Sequence, residues 1–283
     1  MKTIKATLFL GLLAFLAASR AQATLVVTYA ENPGAENSAL SNTTVDTFNS
    51  DSVGYHTTVG DSALTWAGVG TFTNLNVKAT DQYGGAANTN YAVVGLGVNT
   101  QSILNLNTPS SYFGLWWSAG DAKNVLDFYS GANGTGTLLA EFTTANLLQK
   151  LQPATLYPSG YYGNPNAGPN YQRDAAEAFA FINFFGVPGT EWSSIVITNH
   201  GSSGFEADNY TSRVAAFNPS TEGPLPGIVV ESIDGTHEVA LDSGSGSGFG
   251  IALAPEPGVK WAMLLIGSLS FGGPLLRRIK KTA

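Results

Sequence analysis

The chain has 283 residues, a formal net charge of −7 from 13 Lys and Arg against 20 Asp and Glu, and no cysteine. The missing cysteines exclude disulfides, metal–thiolate sites and cysteine nucleophiles, and the acidic balance sets the chain against phosphate backbones, and so against nucleic-acid partners. Abundant Gly, Asn, Ser and Thr with sparse charge go with strands and turns rather than helical bundles.

Lys2 and Lys5 form a positive n-region, Ala6 to Ala18 an apolar h-region, and Ala21-Gln22-Ala23 an A-x-A cleavage site. Residues 1–23 therefore read as a secretory signal peptide, with signal peptidase leaving Thr24 as the mature N-terminus. The apolar run is short for a membrane span. From Thr24 to Ala254 five cations (Lys78, Lys123, Lys150, Arg173 and Arg213) face nineteen acids, a net charge of −14. Such a surface favours solubility and suits divalent cations.

Strand-like runs follow in order, separated by Gly and Asn. They are Leu25 to Tyr29, Ala63 to Val69, Asn90 to Val98, Tyr112 to Trp117, Asn124 to Tyr129 and Thr137 to Phe142. The last three, joined by short Gly/Asn-containing links, predict an antiparallel meander. Thr143 to Leu151 is the one predicted helix of the body, capped by Thr143 or Thr144 and ended by Pro153. Ala178 to Val187, Ser194 to Thr198 and Gly204 to Tyr210 complete the strands. The expectation is an all-β antiparallel sandwich of jelly-roll type over residues 24–241. Pro153 to Arg173 is a long aperiodic loop rich in Tyr, Pro, Gly and Asn. Residues 242–254 are a Gly/Ser-rich linker.

Several residue groups carry candidate chemistry. Glu206 and Asp208 share a strand face, with Asn209 beside them. Together with Glu31, next to Asn32 early in the mature chain, they supply hard oxygen ligands for a structural Ca²⁺. Glu31 and Asn32 resemble the acidic start of jelly-roll carbohydrate-binding modules, where calcium ties the first strand to the last. Tyr157, Tyr161, Tyr162 and Tyr171, with Asn164, Asn166 and Asn170, could stack on and bond to sugar rings. Of Trp116 and Trp117, alternation predicts one inside and one exposed; Trp66 is read as core. Gly60-Asp61-Ser62-Ala63-Leu64 resembles the nucleophile block of GDSL esterases, and Asp234-Gly235-Thr236-His237 has their D-x-x-H spacing. That resemblance implies Ser62 as nucleophile, His237 as base and Asp234 as orienter, in a family whose fold is α/β. His56 and His200 have no partner at metal spacing. No phosphate loop, nucleotide fingerprint or HExxH occurs, and no glycosidase carboxylate pair can be picked out. The expectation is a protein without enzymatic activity.

Pro255-Glu256-Pro257 precedes Trp261 to Leu276, an uncharged, mostly apolar run, and then Arg277-Arg278-Ile279-Lys280-Lys281. Trp261 suits the headgroup level, and the four cations should stay cytoplasmic. These 29 residues resemble the PEP-CTERM sorting signal, the substrate tag of the membrane protease exosortase. The resemblance implies a transmembrane helix over 261–276, cleavage near the triplet, passage through the inner membrane and release to the cell surface or extracellular polymer. Pro255, Glu256 and Pro257 are then a recognition element of a substrate. The stretches Tyr112 to Trp117, Asn124 to Gly131 and Gly204 to Asn209 are similar to a family of exosortase-dependent surface proteins. In that family an "FGLYWGS" strand pairs with an "LSFYSGG" strand and an "FE-DN" strand closes the domain. Together these readings predict an exported structural or adhesive protein of the envelope or exopolysaccharide. A carbohydrate-binding module and a GDSL-like esterase are the alternatives.

Overall fold

Two kinds of strand build the protein, and burial tells them apart. The computed structural model describes residues 24–57, 63–97, 99–151 and 160–234, and the backbone of 237–239. All of them belong to the unit that ends at Ser243. In chain order the strands are β1 (Thr24–Tyr29), β2 (Thr44–Asp46), β3 (Gly54–His56), β4 (Leu64–Trp66), β5 (Gly70–Thr73), β6 (Leu75–Lys78), β7 (Tyr91–Gly95), β8 (Gln101–Ser110), β9 (Tyr112–Gly120), β10 (Asn124–Tyr129), β11 (Leu138–Thr143), β12 (Ala178–Gly186), β13 (Trp192–Asn199), β14 (Gly204–Arg213), β15 (Ile228–Asp234) and β16 (His237–Val239). Two α-helices, α1 (Thr144–Leu151) and α2 (Pro219–Glu222), and two short 3-10 turns, Ala86–Asn88 and Ala132–Gly134, join them.

The strands form two antiparallel sheets. The larger runs β16-β15-β1-β12-β9-β14-β7-β6-β3, with β2 also paired to β14; the smaller runs β11-β10-β13-β8-β5-β4. In the smaller sheet β10 buries Asn124, Leu126 and Phe128 and half-exposes Val125, Asp127 and Tyr129, as a strand with one covered face does. In the larger sheet every residue of β9, β12 and β14 is buried. Continuous apolar runs such as Ala178-Phe179-Ala180-Phe181-Ile182 fit strands covered on both faces.

The two sheets meet through aromatic rings. Phe184 of β12 lies 5.1 Å from Phe128 of β10 and 5.2 Å from Phe142 of β11, centroid to centroid, and 6.1 Å from its sheet neighbour Phe113. Such ring pairs add about 0.5–1.5 kcal/mol each beyond the area they bury. The far face of the larger sheet is closed by loops. Trp116, Phe179 and Phe181 pack there with Ala86 of the β6–β7 loop. Tyr112, Phe185 and Val26 pack with Phe217 of the chain that follows β14. Trp116 and Trp117 are therefore both fully buried, one on each face of β9; the expected exposed tryptophan is covered by loops. Trp66 is core, as expected. Gly120 is required where it stands, since a Cβ there would lie 2.0 Å from the Trp117 ring.

The predicted meander is corrected. β10 and β11 pair, but β9 and β10 lie in different sheets, because β9 already has β12 and β14 on its two sides. Residues 121–123 carry the chain across. The corner is fixed by Trp117 Nε1 donating to Asn124 Oδ1 at 3.0 Å and Thr144 Oγ1 donating to the Asp121 carbonyl at 2.6 Å. β14, expected to close the domain, is internal to its sheet. The helix α1 forms where predicted and buries Leu147 and Leu151. β2, β3, β5, β6, β8, β15 and β16 are additional: most are short, and the polar Gln101–Ser110 run gives little apolar signal.

Among the described residues no helix is long and apolar enough to cross a membrane. Ala21, Ala23, Ser62, the linker, Pro255, Glu256, Pro257, Trp261, Arg277 and Arg278 lie outside the described residues, as does the span 261–276. Phe184→Ala should lower the unfolding free energy by about 3–5 kcal/mol in a urea titration. Tyr171→Ala, at an exposed position, should change it by no more than about 0.5 kcal/mol.

Candidate functional site

Alternation along β14 sends Phe205 and Ala207 into the core between the sheets and Glu206 and Asp208 to the far face. The pairing with β9 shifts between Asp208 and Thr211, where Asn209 takes a positive φ of 49°. Asn tolerates that conformation better than most residues. The bulge returns Tyr210 to the core beside Phe48, Phe72 and Phe113. The Asn209 amide meanwhile donates to the Glu36 carbonyl at 2.7 Å and to Asn37 Oδ1 at 3.0 Å.

The two carboxyl groups share a face as expected, but both are buried, and Asp208 serves a loop. Its Oδ2 accepts from the Ala86 N–H at 2.8 Å and the Thr89 hydroxyl at 3.1 Å, and its Oδ1 from the Asn209 N–H at 2.7 Å. Glu36 accepts from the next amide of that loop, Ala87 N–H, at 2.8 Å. Glu206 folds back over its own strand; a Cβ on Gly204 would lie 2.0 Å from Glu206 Oε1. Burial pushes both groups up to about 8. For Glu206, Asp121 and Asp81 push the same way while Lys78 opposes.

The four expected calcium ligands are not gathered. Glu31 is exposed beyond the end of β1, beside Tyr161. β1 is separated from β14 by β12 and β9, about 14 Å at the usual strand spacing. The oxygens of Asp208 already accept from the protein's own donors. Among the described residues no three His, Asp or Glu side chains form a group able to hold a metal. The residues present do not fit the tie between first and last strands.

The tyrosine loop is also reassigned. Tyr161 is buried against Tyr29, ring centroids 5.2 Å apart, and its hydroxyl reaches the Ala30 and Glu31 carbonyls at 2.7 and 2.9 Å. Burial pushes that phenol up to about 12. Tyr162 packs on the main core, Tyr171 is exposed at 58% of its surface, and Tyr157 lies outside the described residues. Tyr161, Tyr162 and Tyr171 do not form one stacking platform. Asn164 and Asn166 are buried and bind the neighbouring loop: Asn164 Nδ2 donates to the Gln82 carbonyl at 3.1 Å, Asn166 Nδ2 to that of Gly85 at 2.6 Å. The loops at 82–90 and 160–173 thus lock together over Trp116. Of the esterase triad, Ser62 is outside the described residues and only the backbone of His237 is described, paired with Asp234 in the β15–β16 hairpin.

A cleft of about 610 Å³ opens where the two sheets end together. One wall comes from Ser41, the start of β2 (Thr44) and the end of β14 (Ser212, Arg213); the other from the end of β8 (Thr108) and the β4–β5 turn (Val69). Arg213 is buried. Its two Nη atoms bond both carboxylate oxygens of Glu222, one of them at 3.3 Å, and its Nε donates to the Ala215 carbonyl at 3.0 Å. The guanidinium holds the Glu222 carboxyl below the usual range. This site was not foreseen from sequence; its one signal is that Arg213 is one of five cations in an acidic body.

Glu206 and Asp208 keep their protons in the fold at pH values where the unfolded chain has released them. Stability should therefore fall as pH rises from about 4.5 to about 8, by up to about 1.4 kcal/mol per pH unit for each group. Glu206→Gln or Asp208→Asn should remove its share of that slope, as urea titrations across this range will read. Asn166→Ala should cost about 1–3 kcal/mol and speed hydrogen exchange at the Ala86 and Ala87 amides. No family model, curated protein or solved structure matches the chain.

Proposed function

We propose that the chain is an exported protein of the cell surface or extracellular polymer, with a structural or adhesive role, and a substrate of signal peptidase and exosortase. The observation that carries this reading is the order at the C-terminus: Pro255-Glu256-Pro257, the apolar run Trp261 to Leu276, then Arg277-Arg278. The tag passes through the inner membrane as an intermediate before release. Two features of the body support the reading. Its cohesion comes from a large aromatic core, which suits a secreted chain without disulfides. Its buried asparagines and Asp208 fasten its own loops, which gives a rigid body rather than a mobile lid. We take the architecture to be a jelly-roll sandwich, a reading supported by the crossing from β9 to β10 between sheets.

Intact mass of the protein from its native host, with and without exosortase, tests the proposal. The expected species starts at Thr24 and ends near Pro255-Glu256-Pro257 only when exosortase is present. A species running to Ala283 in both strains would reduce the C-terminus to a plain anchor.

A further inference from the structure

We propose that the cleft at the common end of the two sheets binds a neutral, polyhydroxylated ligand, a segment of an oligosaccharide. The inference does not depend on processing by exosortase. Its volume, about 610 Å³, lies within the range of small-molecule sites. Its rim carries the exposed hydroxyls of Ser41, Thr44, Thr108 and Thr221 and the amide of Asn42. Hydroxyls and amides both donate and accept, as sugar hydroxyls do. Val214, exposed at 52% of its surface, and Val69 give the cleft an apolar side. Such a side matches the C–H face of a pyranose ring.

The charges select against ionic ligands. Arg213 is the one cation of the lining and Glu222 the one carboxylate, and they bond to each other. An anion would have to displace Glu222 from a two-pronged pair and approach a body of net charge −14. A metal would find a single carboxylate already engaged. Arg213 has five N–H donors, and three are engaged, with Ala215 and Glu222. With its side chain only 6% exposed, Arg213 is a fixed part of the cleft wall.

The site is also built in advance. Asn218 accepts from the Ser220 N–H at 3.0 Å, and its own N–H donates to Glu222 Oε2 at 2.8 Å. These bonds close the short helix α2 on itself, and the Arg213–Glu222 pair holds it against the end of β14 before any ligand arrives, which lowers the ordering cost of binding.

Titration calorimetry of the full-length chain with neutral tetrasaccharides of glucose, galactose, mannose and N-acetylglucosamine tests this. At least one should bind. Val214→Trp, which fills the cleft from an exposed position, should weaken that binding at least about tenfold, with unchanged thermal unfolding. The double variant Asn42→Ala/Thr44→Ala should weaken it similarly. Tyr171→Ala, outside the cleft, should leave it intact. The proposal is overturned if no neutral tetrasaccharide binds at up to about 10 mM, if an oligouronate binds more tightly than all of them, or if binding survives Val214→Trp.

Discussion

Both faces of β12, β9 and β14 are buried, and most of the molecule follows from that constraint. One face is covered by the smaller sheet through rings such as Phe128 and Phe142. The other is covered by loops, including a single 3-10 turn at Ala86–Asn88. Irregular chain over a core must satisfy its backbone polar groups without a ladder. Here side chains do that work: Asp208, Glu36, Asn164 and Asn166 bond to the 82–90 loop, and Tyr161 bonds to the chain leaving β1.

This solution sets the electrostatics. Glu206 and Asp208 lie in a region with one nearby cation, Lys78, which is itself paired with Asp81 at 3.0 Å. Burial raises them rather than an ion pair lowering them, so the fold holds them protonated at a cost that grows with pH. The same shortage of cations makes the Arg213–Glu222 pair conspicuous. There the two charges cancel locally, and the cleft they line is polar without being charged.

The far face and the end of the larger sheet therefore differ in kind. Over the far face the loops are tied shut above Trp116 by hydrogen bonds from residues far away in sequence. Where the two sheets end together an open cleft remains, and its rim is hydroxyl-rich.

Much of the fold was legible locally. Period-two alternation, continuous apolar runs and Gly/Asn turns located β1, β7, β9 to β14 and α1, and alternation alone put Glu206 and Asp208 on one face. These are properties of neighbours in the chain. What lies opposite a face is not. That Asp208 serves Ala86, 122 positions away, that Trp116 is roofed by a loop, and that β9 hands the chain to the other sheet all depend on which strands were already paired. The sequence by itself determined the acidity and the long apolar strands, because these are set by composition and short-range pattern. Only the tertiary structure decided which tyrosines and carboxylates are buried and where a cleft remains, because burial is settled by segments distant in the chain competing for the same surface.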